Sequence, residues 1–422
     1  MRAFLFAMAW IAFFVAIDLY VFKGVKLLTA NISKQIIKTT IHFAYWSITA
    51  ITIASIFYVA FNFEKITLSR SYGAIQTVFG LIILFLVPKL IFSVFHLLDD
   101  LGSFTYQIFQ KITANKTLET TNEIVKISRG AFLTKVGLIL ATIPFLGILY
   151  GMIKGRYDFR VLRQDISFDN LPDAFDGFTI AHISDIHIGS FDHFHEPVQK
   201  GINMVNELGA DAIFFTGDLV NNYADELVGW ENILNTLQAK YGVFSILGNH
   251  DYGDYVSWKS AEEKKENLNI LKSKHKELGY HLLVNQNVEI KKNDASITLL
   301  GVENWGTGGF AQYGKLDKAM ENVDPAAFKI LLSHDPSHWD AEVLPKTDID
   351  LTLSGHTHGM QFGIEIPGIK WSPVQYRYPR WAGLYNKGKQ FIYVNRGFGY
   401  LAFPARVGIS PEITLITLKK KK

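Results

Sequence analysis

The stretch Ala212-Ile-Phe-Phe-Thr-Gly-Asp-Leu-Val-Asn221 places an aspartate just after a strongly apolar run. An aspartate in this position must be satisfied by a partner, and a metal ion is one candidate. Other short apolar runs occur along the chain, and they alternate with polar, helix-like stretches. The predicted strands cover 178–183, 212–216, 243–247, 297–301, 330–332 and 351–353, and the predicted helices cover 197–208, 227–238 and 261–278. This alternation predicts an α/β domain built on a central sheet.

Four further polar motifs follow predicted strands, at the edge where open α/β sheets bind ligands. They are Asp185-Ile-His187, Gly248-Asn-His-Asp251, Ser333-His-Asp335 and Gly355-His-Thr-His-Gly359. Residues two apart on an extended chain point to the same side, so the first motif can offer a carboxylate and an imidazole to one cation. Each motif alone also fits a turn or a helix cap. Five of them at successive strand ends predict a metal centre instead.

Taken together, the motifs resemble the calcineurin-like metallophosphoesterase superfamily, and in particular its membrane-anchored bacterial branch. The family pattern is Asp-x-His, Gly-Asp-x-x-Asp/Asn, Gly-Asn-His-Asp/Glu, an isolated His and Gly-His-x-His, and all five elements occur here in order. The resemblance covers about residues 177 to 418. One departure is Met360, where that branch usually carries a second glycine.

The resemblance implies an α/β metallophosphoesterase domain, with a central β-sandwich flanked by helices, that holds two metal ions. The first ion would be bound by Asp185, His187, Asp218 and His358. The second would be bound by Asp218, Asn249, His334 and His356, so that Asp218 bridges the pair. Imidazole and carboxylate donors suit Mn, Fe or Zn better than Ca or Mg, so we expect two divalent or trivalent transition-metal ions.

The same resemblance implies hydrolysis by a metal-activated hydroxide that attacks phosphorus. It makes His250 the group that stabilises the phosphoryl oxygens or protonates the leaving oxygen, with Asp251 orienting the imidazole. Arg396 and Arg406 are candidates to bind a substrate phosphate, and pairing with ordinary carboxylates is the alternative.

The sequence before residue 155 is strongly apolar. Overall, 49% of residues are hydrophobic and only 19% are charged, against about 25% charged in a typical soluble protein. Four apolar stretches, at about residues 3–22, 41–63, 74–96 and 131–153, reach the roughly 20 residues that a membrane-spanning helix needs. The first could be a signal peptide, but no small-residue cleavage site follows it, so we expect a retained helix. We therefore expect a transmembrane region of four helices over 1–154, a linker over 155–176 and the phosphoesterase domain over 177–422.

Charged residues bear on the arrangement in the membrane. Asp18 and Lys89 lie in or near apolar runs, where they are expected to pair with another helix or to lie near the interface, and a functional charge within the membrane is the rarer alternative. The first and third loops are both basic, with Lys23, Lys26, Lys34 and Lys38 in one and Lys111, Lys116, Lys126 and Arg129 in the other. The opposite side of the membrane carries almost as many basic residues, so the charge count leaves both orientations of this multi-pass membrane protein as alternatives. The two basic loops slightly favour an extracytoplasmic catalytic domain.

Composition counts against several kinds of site and partner. The absence of cysteine excludes disulfides, thiolate metal sites and a cysteine nucleophile. A formal net charge of only +3 argues against a nucleic-acid partner, and no protein partner is predicted. We expect a phosphate ester or pyrophosphate substrate. The membrane anchor favours a lipid-linked substrate. The alternatives are a UDP-2,3-diacylglucosamine pyrophosphatase-type lipid enzyme and a non-catalytic membrane receptor with a phosphoesterase-fold binding module.

Overall fold

The structure is a computed structural model that describes residues 2–68, 72–113 and 129–421. Lys116 and Lys126, which entered the comparison of loop charges, lie outside the described residues. The chain forms two compact units, Met1–Tyr150 and Gly151–Lys422. The boundary lies close to the predicted end of the transmembrane region.

The first unit is built from long helices. They are α1 (Arg2–Leu28), α2 (Gln35–Leu68), α3 (Gly73–Thr113) and α4 (Arg129–Ile153), whose last three residues belong to the second unit. Within the described residues, three helical stretches are long and apolar enough to cross a membrane: Gln35–Phe63, Gly73–Phe109 and Arg129–Ile153. Three of the four predicted spans are therefore confirmed. The first coincides with α1, and its role as a span stays a prediction.

A buried ion pair joins α1 to α3. The Lys89 ammonium lies 2.5 Å from the Asp18 carboxylate, and the Asp18 side chain is fully buried. From α2, the Thr49 hydroxyl donates to the same carboxylate at 2.5 Å, and the Tyr45 hydroxyl donates to the Asp18 backbone carbonyl at 2.9 Å. The two charges thus pair between helices, as predicted, and three helices are fastened at one point.

The second unit contains two six-stranded sheets and a small hairpin. Its strands are β1 (Arg160–Phe168), β2 (Thr179–Ile183), β3 (Ala212–Phe215), β4 (Val243–Ser245), β5 (Tyr280–Leu282), β6 (Gln286–Lys292), β7 (Ala295–Gly301), β8 (Lys329–Leu332), β9 (Leu351–Ser354), β10 (Ile364–Ile366), β11 (Ile369–Trp371), β12 (Gly383–Lys387), β13 (Gln390–Val394) and β14 (Glu412–Lys420). The sheet orders are β1-β14-β2-β3-β4-β5 and β12-β13-β9-β8-β7-β6, and β10 pairs with β11. The helices are α5 (His195–Glu207), α6 (Glu231–Leu234), α7 (Ala261–Glu277), α8 (Leu316–Ala319) and α9 (Leu344–Lys346).

The two sheets pack face to face around one apolar core. Phe214 and Ile416 from the first sheet share that core with Leu299, Ile330 and Leu353 from the second. The outer face of the first sheet is covered by α5 and α7, and that of the second by α8 and the helical turn at 339–343. The predicted α/β domain with a β-sandwich flanked by helices matches this arrangement.

Two local predictions need correction. Residues 155–176 were expected to be a linker, but β1 lies within them and pairs in parallel with β14 from Arg160↔Glu412 to Phe168↔Lys420. As an edge strand, β1 is buried mainly near its end, at Ile166 and Phe168. The rest of the strand carries exposed basic residues, a pattern that is also typical of a linker. The predicted helix over 227–238 is helical only over 231–234, because turns and a short unstructured stretch occupy the rest.

Candidate metal centre

The predicted metal ligands come from five loops that meet at one edge of the sandwich. The loops follow β2, β3 and β4 in the first sheet and β8 and β9 in the second, and within each sheet these strands run parallel. Their carboxyl ends therefore open toward the same side. All seven predicted ligands lie in these loops and all but His356, which is partly exposed, are buried: Asp185, His187, Asp218, Asn249, His334, His356 and His358.

One group of donors forms around His358. Its Nε2 lies 3.2 Å from Asp185 Oδ1 and 3.1 Å from His187 Nε2. His187 Nε2 in turn lies 3.5 Å from Asp218 Oδ2. Two imidazoles and a carboxylate thus converge on one small volume with a second carboxylate at its border.

A second group forms around His334. Its Nε2 lies 3.1 Å from Asp218 Oδ2 and 3.0 Å from Asn249 Oδ1, and His356 Nδ1 lies 2.8 Å from the same amide oxygen. His334 Nδ1 donates to the Thr216 carbonyl at 2.7 Å, which leaves the lone pair of Nε2 facing the cluster. Asp218 Oδ2 therefore lies against both groups.

The donor chemistry fits metal ions. Asp185, His187 and His358 can together hold an ion, and so can Asp185, Asp218 and His334. Asp185 thus borders both groups, whereas the sequence assigned it to the first ion alone. Buried imidazole and carboxylate donors suit borderline cations such as Mn, Fe and Zn.

Backbone strain is concentrated in these loops. Five of the predicted ligands are non-glycine residues with positive φ, and they are Asp185 (55°), His187 (49°), Asp218 (59°), His356 (70°) and His358 (49°). Conformations of this kind cost on the order of 1–3 kcal/mol each and gather at functional sites. Strain at so many neighbouring donors supports a binding role over an ordinary set of turns.

Gly248 lets two of the loops approach closely. A Cβ atom built on Gly248 would lie 2.2 Å from Asp218 Oδ1. In the loop that contains Gly248, the backbone N–H of His250 lies close enough to donate to Asp218 Oδ1, at 2.8 Å. A glycine is therefore required here by packing against the carboxylate.

The His250 ring lies beside the donor cluster, and its rotation is set by a carbonyl. Its centroid is 4.9 Å from that of His187, and its Nδ1 donates to the backbone carbonyl of Asn221 at 2.8 Å. Burial lowers the pKa of the His250 imidazole, which favours the neutral ring. With Nδ1 carrying the proton, Nε2 is the nitrogen left for exchange with a substrate.

Asp251 does not orient His250 as the sequence implied. Its carboxylate accepts hydrogen bonds from the backbone N–H groups of Asp218 at 2.8 Å, Leu219 at 2.9 Å and Gly248 at 2.9 Å. The positive φ of Asp218 turns these amides toward the carboxylate. Asp251 thus fastens the loops after β3 and β4 together, and the Asn221 carbonyl takes the orienting role.

Glu226 supports the Asn221 carbonyl, and it was not predicted from the sequence. The partly buried Glu226 carboxylate accepts from the backbone N–H groups of Asn221 at 2.6 Å, Asn222 at 3.0 Å and Tyr223 at 3.0 Å. Burial raises the pKa of Glu226 to about 7. Glu226 holds the peptide that in turn holds His250. The acidic residue five positions after Asn221 was the one local signal for it.

Two tyrosines that orient predicted ligands were also missed. Asn249 Nδ2 donates to the Tyr255 hydroxyl at 2.8 Å, which directs the amide oxygen toward His334 and His356. The Tyr378 hydroxyl lies 2.8 Å from His356 Nε2, which leaves Nδ1 for the cluster. Both tyrosines reach the site through the fold, and no local motif marks them.

The two candidate arginines have internal partners. Arg396 contacts Glu412 at 2.6 Å and Glu365 at 2.5 Å, so the carboxylate alternative is confirmed for it. Arg406 is buried and donates to the backbone carbonyls of Arg396, Gly397 and Gly399. It also lies 3.3 Å from His358 Nδ1, behind the donor cluster.

Comparisons with known proteins agree with this site. The family described as "Calcineurin-like phosphoesterase" matches residues 178–360, which include every predicted ligand. A second family, described as "Probable Calcineurin-like phosphoesterase, transmembrane domain", matches residues 1–156.

Individual relatives carry the same description. The chain is 34% identical over 256 residues to the uncharacterized metallophosphoesterase YkuE of Bacillus subtilis, covering 59% of this chain and 82% of that protein. It is 27% identical to a zebrafish "Transmembrane protein with metallophosphoesterase domain", covering 70% of this chain and 64% of the relative. It is also 27% identical to the phosphodiesterase YaeI of Escherichia coli, covering 69% of this chain and 99% of YaeI. The chain belongs to the calcineurin-like metallophosphoesterase family, and it carries that family's metal-dependent phosphoester hydrolase domain behind an N-terminal transmembrane domain.

Proposed function

We propose that the chain is a membrane-anchored phosphodiesterase that uses two bound divalent cations. The observation that carries the proposal is the position of Asp218 Oδ2, which lies 3.5 Å from His187 Nε2 on one side and 3.1 Å from His334 Nε2 on the other. The position of one carboxylate oxygen between two sets of imidazoles supports a bridging role for Asp218.

The distances support the ligand assignment that the family resemblance implies. Asp185, His187, Asp218 and His358 would hold the first ion. Asp218, Asn249, His334 and His356 would hold the second. Cations bound there would supply Lewis acidity and a nucleophilic water at neutral pH. Mn, Fe and Zn fit the donors, and the buried site favours tight electrostatic interaction with a phosphate.

His250 would exchange a proton with the substrate. The Asn221 carbonyl keeps the proton on Nδ1 in either charge state of the ring. Nε2 would therefore donate to the leaving oxygen when the ring is charged, and it would recover a proton afterwards. Burial lowers the pKa of His250 and favours the neutral ring. An anionic substrate beside the ring would have the opposite effect and favour the charged form.

A phosphodiester is the substrate class we favour. Alkyl phosphate esters have a poor leaving oxygen that benefits from protonation, and His250 is placed to supply the proton. The relative YaeI carries the name phosphodiesterase. The receptor alternative is less well supported, because all seven predicted ligands are retained and lie together.

We also propose that α1 is a fourth membrane span. Its 27 residues would extend about 40 Å as a helix, which exceeds the roughly 30 Å of a bilayer core. With four spans, the chain enters and leaves the membrane on one side, and the basic first and third loops favour an extracytoplasmic catalytic domain. Labelling of a cysteine introduced at Val228 by a membrane-impermeant reagent in intact cells tests the orientation, and labelling only after lysis would refute it.

The activity test uses the full-length protein in detergent, loaded with Mn. We expect turnover of bis-p-nitrophenyl phosphate well above that of p-nitrophenyl phosphate, and loss of both after chelation. Asp218→Asn should abolish turnover. Faster turnover of the monoester would refute the diesterase assignment. Binding of a phosphate ligand without hydrolysis by the metal-loaded protein would favour the receptor alternative. A lipid-linked nucleotide diphosphate in the same assay tests the pyrophosphatase alternative.

A further inference from the structure

The hairpin at 364–371 has its polar and apolar faces reversed with respect to the domain. Glu365 pairs with Lys370, while Ile364 pairs with Trp371 and Ile366 with Ile369. Because side chains alternate along a strand, the charged pair lies on one face and the apolar pairs lie on the other. A surface hairpin normally turns its apolar face toward the core.

Here the charged face is bound to the domain. Glu365 lies 2.5 Å from Arg396, and the Lys370 ammonium donates to the Ala382 carbonyl and lies 5.0 Å from the centre of the Trp381 ring. The isoleucines of the other face are about half exposed, at 48% for Ile364, 55% for Ile366 and 53% for Ile369. The hairpin is thus held firmly with its apolar side outward.

Exposed apolar side chains concentrate at this place. From residue 160 onward the described chain has nine exposed large hydrophobic residues: Phe194, Val228, Tyr255, Ile270, Met360, Ile364, Ile366, Ile369 and Tyr376. Five of the nine lie within 360–376. Scattered exposed hydrophobic residues need no explanation, whereas a cluster of this kind marks a surface that meets another apolar phase.

The hairpin is linked to the start of its unit by two backbone contacts. At its base, the Gly363 N–H donates to the Val407 carbonyl at 2.9 Å, and the neighbouring Arg406 N–H donates to the Gly151 carbonyl at 3.2 Å. Gly151 lies in the apolar stretch that ends at Ile153, whose side chain is 68% exposed. Lys154 and Arg160 follow as exposed cations of the kind that favour anionic headgroups.

We propose that the apolar face of the 364–371 hairpin inserts into the surface of the lipid bilayer that anchors the chain. The continuity from Gly151 to the hairpin base selects lipid as the occupant, because the chain leaves the membrane at that end of the unit. The Ser372 hydroxyl donates to the carbonyl of Gly359, the residue after His358, at 2.8 Å. Lipid contact would therefore hold the metal centre near the headgroups, and phosphate esters of lipids become the substrates within reach if the proposed function holds.

The test uses the absence of cysteine from the chain. The full-length protein carrying Ile366→Cys is labelled with an environment-sensitive fluorophore and reconstituted into phosphatidylcholine–phosphatidylglycerol vesicles. The matched control is Val228→Cys, at a residue that is 70% exposed in the same unit. We expect blue-shifted emission from the probe at 366, at least twofold stronger quenching by doxyl-labelled lipid than at 228, and weaker quenching by iodide.

Two results would overturn the proposal. Equal iodide quenching at both positions would show that the hairpin faces water. Protection of the 366 probe from iodide without quenching by doxyl lipid would show that protein covers it, for instance a second copy of the chain. Neither readout depends on turnover, so an inactive preparation would count against the proposed function and leave this test intact.

Discussion

The His250 imidazole is held by the backbone carbonyl of Asn221, to which its Nδ1 donates a hydrogen bond of 2.8 Å. A carbonyl cannot donate, so this contact fixes both the rotation of the ring and the nitrogen that faces the substrate. His334 is held in the same way by the Thr216 carbonyl, but its Nε2 faces Asp218 Oδ2 and Asn249 Oδ1, whereas His250 is not among the predicted ligands.

Replacement of His250 by alanine should lower kcat by about 100-fold or more, because proton transfer is lost. Metal content should stay at the wild-type level, since the ring is not among the assigned ligands. Turnover of an alkyl phosphodiester, whose leaving oxygen needs protonation, and elemental analysis on the same preparation measure both. His193→Ala is the control, because its side chain is 95% exposed, and it should behave as wild type. Undiminished turnover in the His250 variant would contradict the assigned role.

Glu226 should affect the rate through the position of His250. Glu226→Ala removes the acceptor of three backbone N–H groups, so the Asn221 carbonyl is freed to move. We expect kcat to fall about tenfold or more, in line with the sensitivity of catalysis to small misplacements, while KM and metal content change little.

The conservative variant separates positioning from simple loss of folding. In Glu226→Gln one oxygen can still accept from Asn222 and Tyr223, while the amide nitrogen cannot accept from Asn221. Its kcat should therefore lie between those of wild type and the alanine variant. Equal kcat for the two variants, or a change in KM alone, would rule out the positioning role.

Gly248 should control metal affinity. A methyl group there would lie 2.2 Å from Asp218 Oδ1, so Gly248→Ala should displace the bridging carboxylate and weaken metal binding about tenfold or more. Gly177→Ala is a suitable control, because Gly177 has a φ of +82° with nothing near its Cβ position. That variant carries backbone strain alone, and its metal titration should match wild type. Equal losses in the two variants would attribute the effect to general destabilisation.

In the membrane unit, Asp18 and Lys89 should depend on each other. Removal of one partner leaves an uncompensated buried charge, which costs about 3–5 kcal/mol in proteins. We expect Asp18→Asn and Lys89→Met each to lower the thermal unfolding midpoint in detergent more than the double variant does. Additive effects in this double-mutant cycle would indicate that the 2.5 Å contact contributes little.

The sequence was most informative where strands are buried on both sides. Strands such as β3 and β8 read as continuous apolar runs, so the polar residues after them could be placed at one sheet edge. Edge strand β1 is buried mainly at its end and carries exposed basic residues, and it was taken for a linker. Burial on one side only gives a weaker pattern in the sequence.

Within the site, residue identity was easier to predict than side-chain direction. The family resemblance implied the predicted ligand set, and the structure brings its seven residues together. The partners of Asp251 could not be predicted, because they depend on backbone amides that the positive φ of Asp218 turns toward it. Tyr255 and Tyr378 reach their ligands across loops, so their roles depend on tertiary contacts with no trace in local sequence.

Asp218 is proposed to bridge two metal ions, and the metal stoichiometry of the wild-type protein and its variants tests this role. Elemental analysis should give two divalent transition-metal ions for each active wild-type chain. Asp218→Ala should lose both ions, since each set shares that carboxylate, whereas His334→Ala should lose mainly the second. An active wild-type protein with a single ion per chain, or an Asp218 variant that retains two ions, would show that Asp218 does not bridge a metal pair.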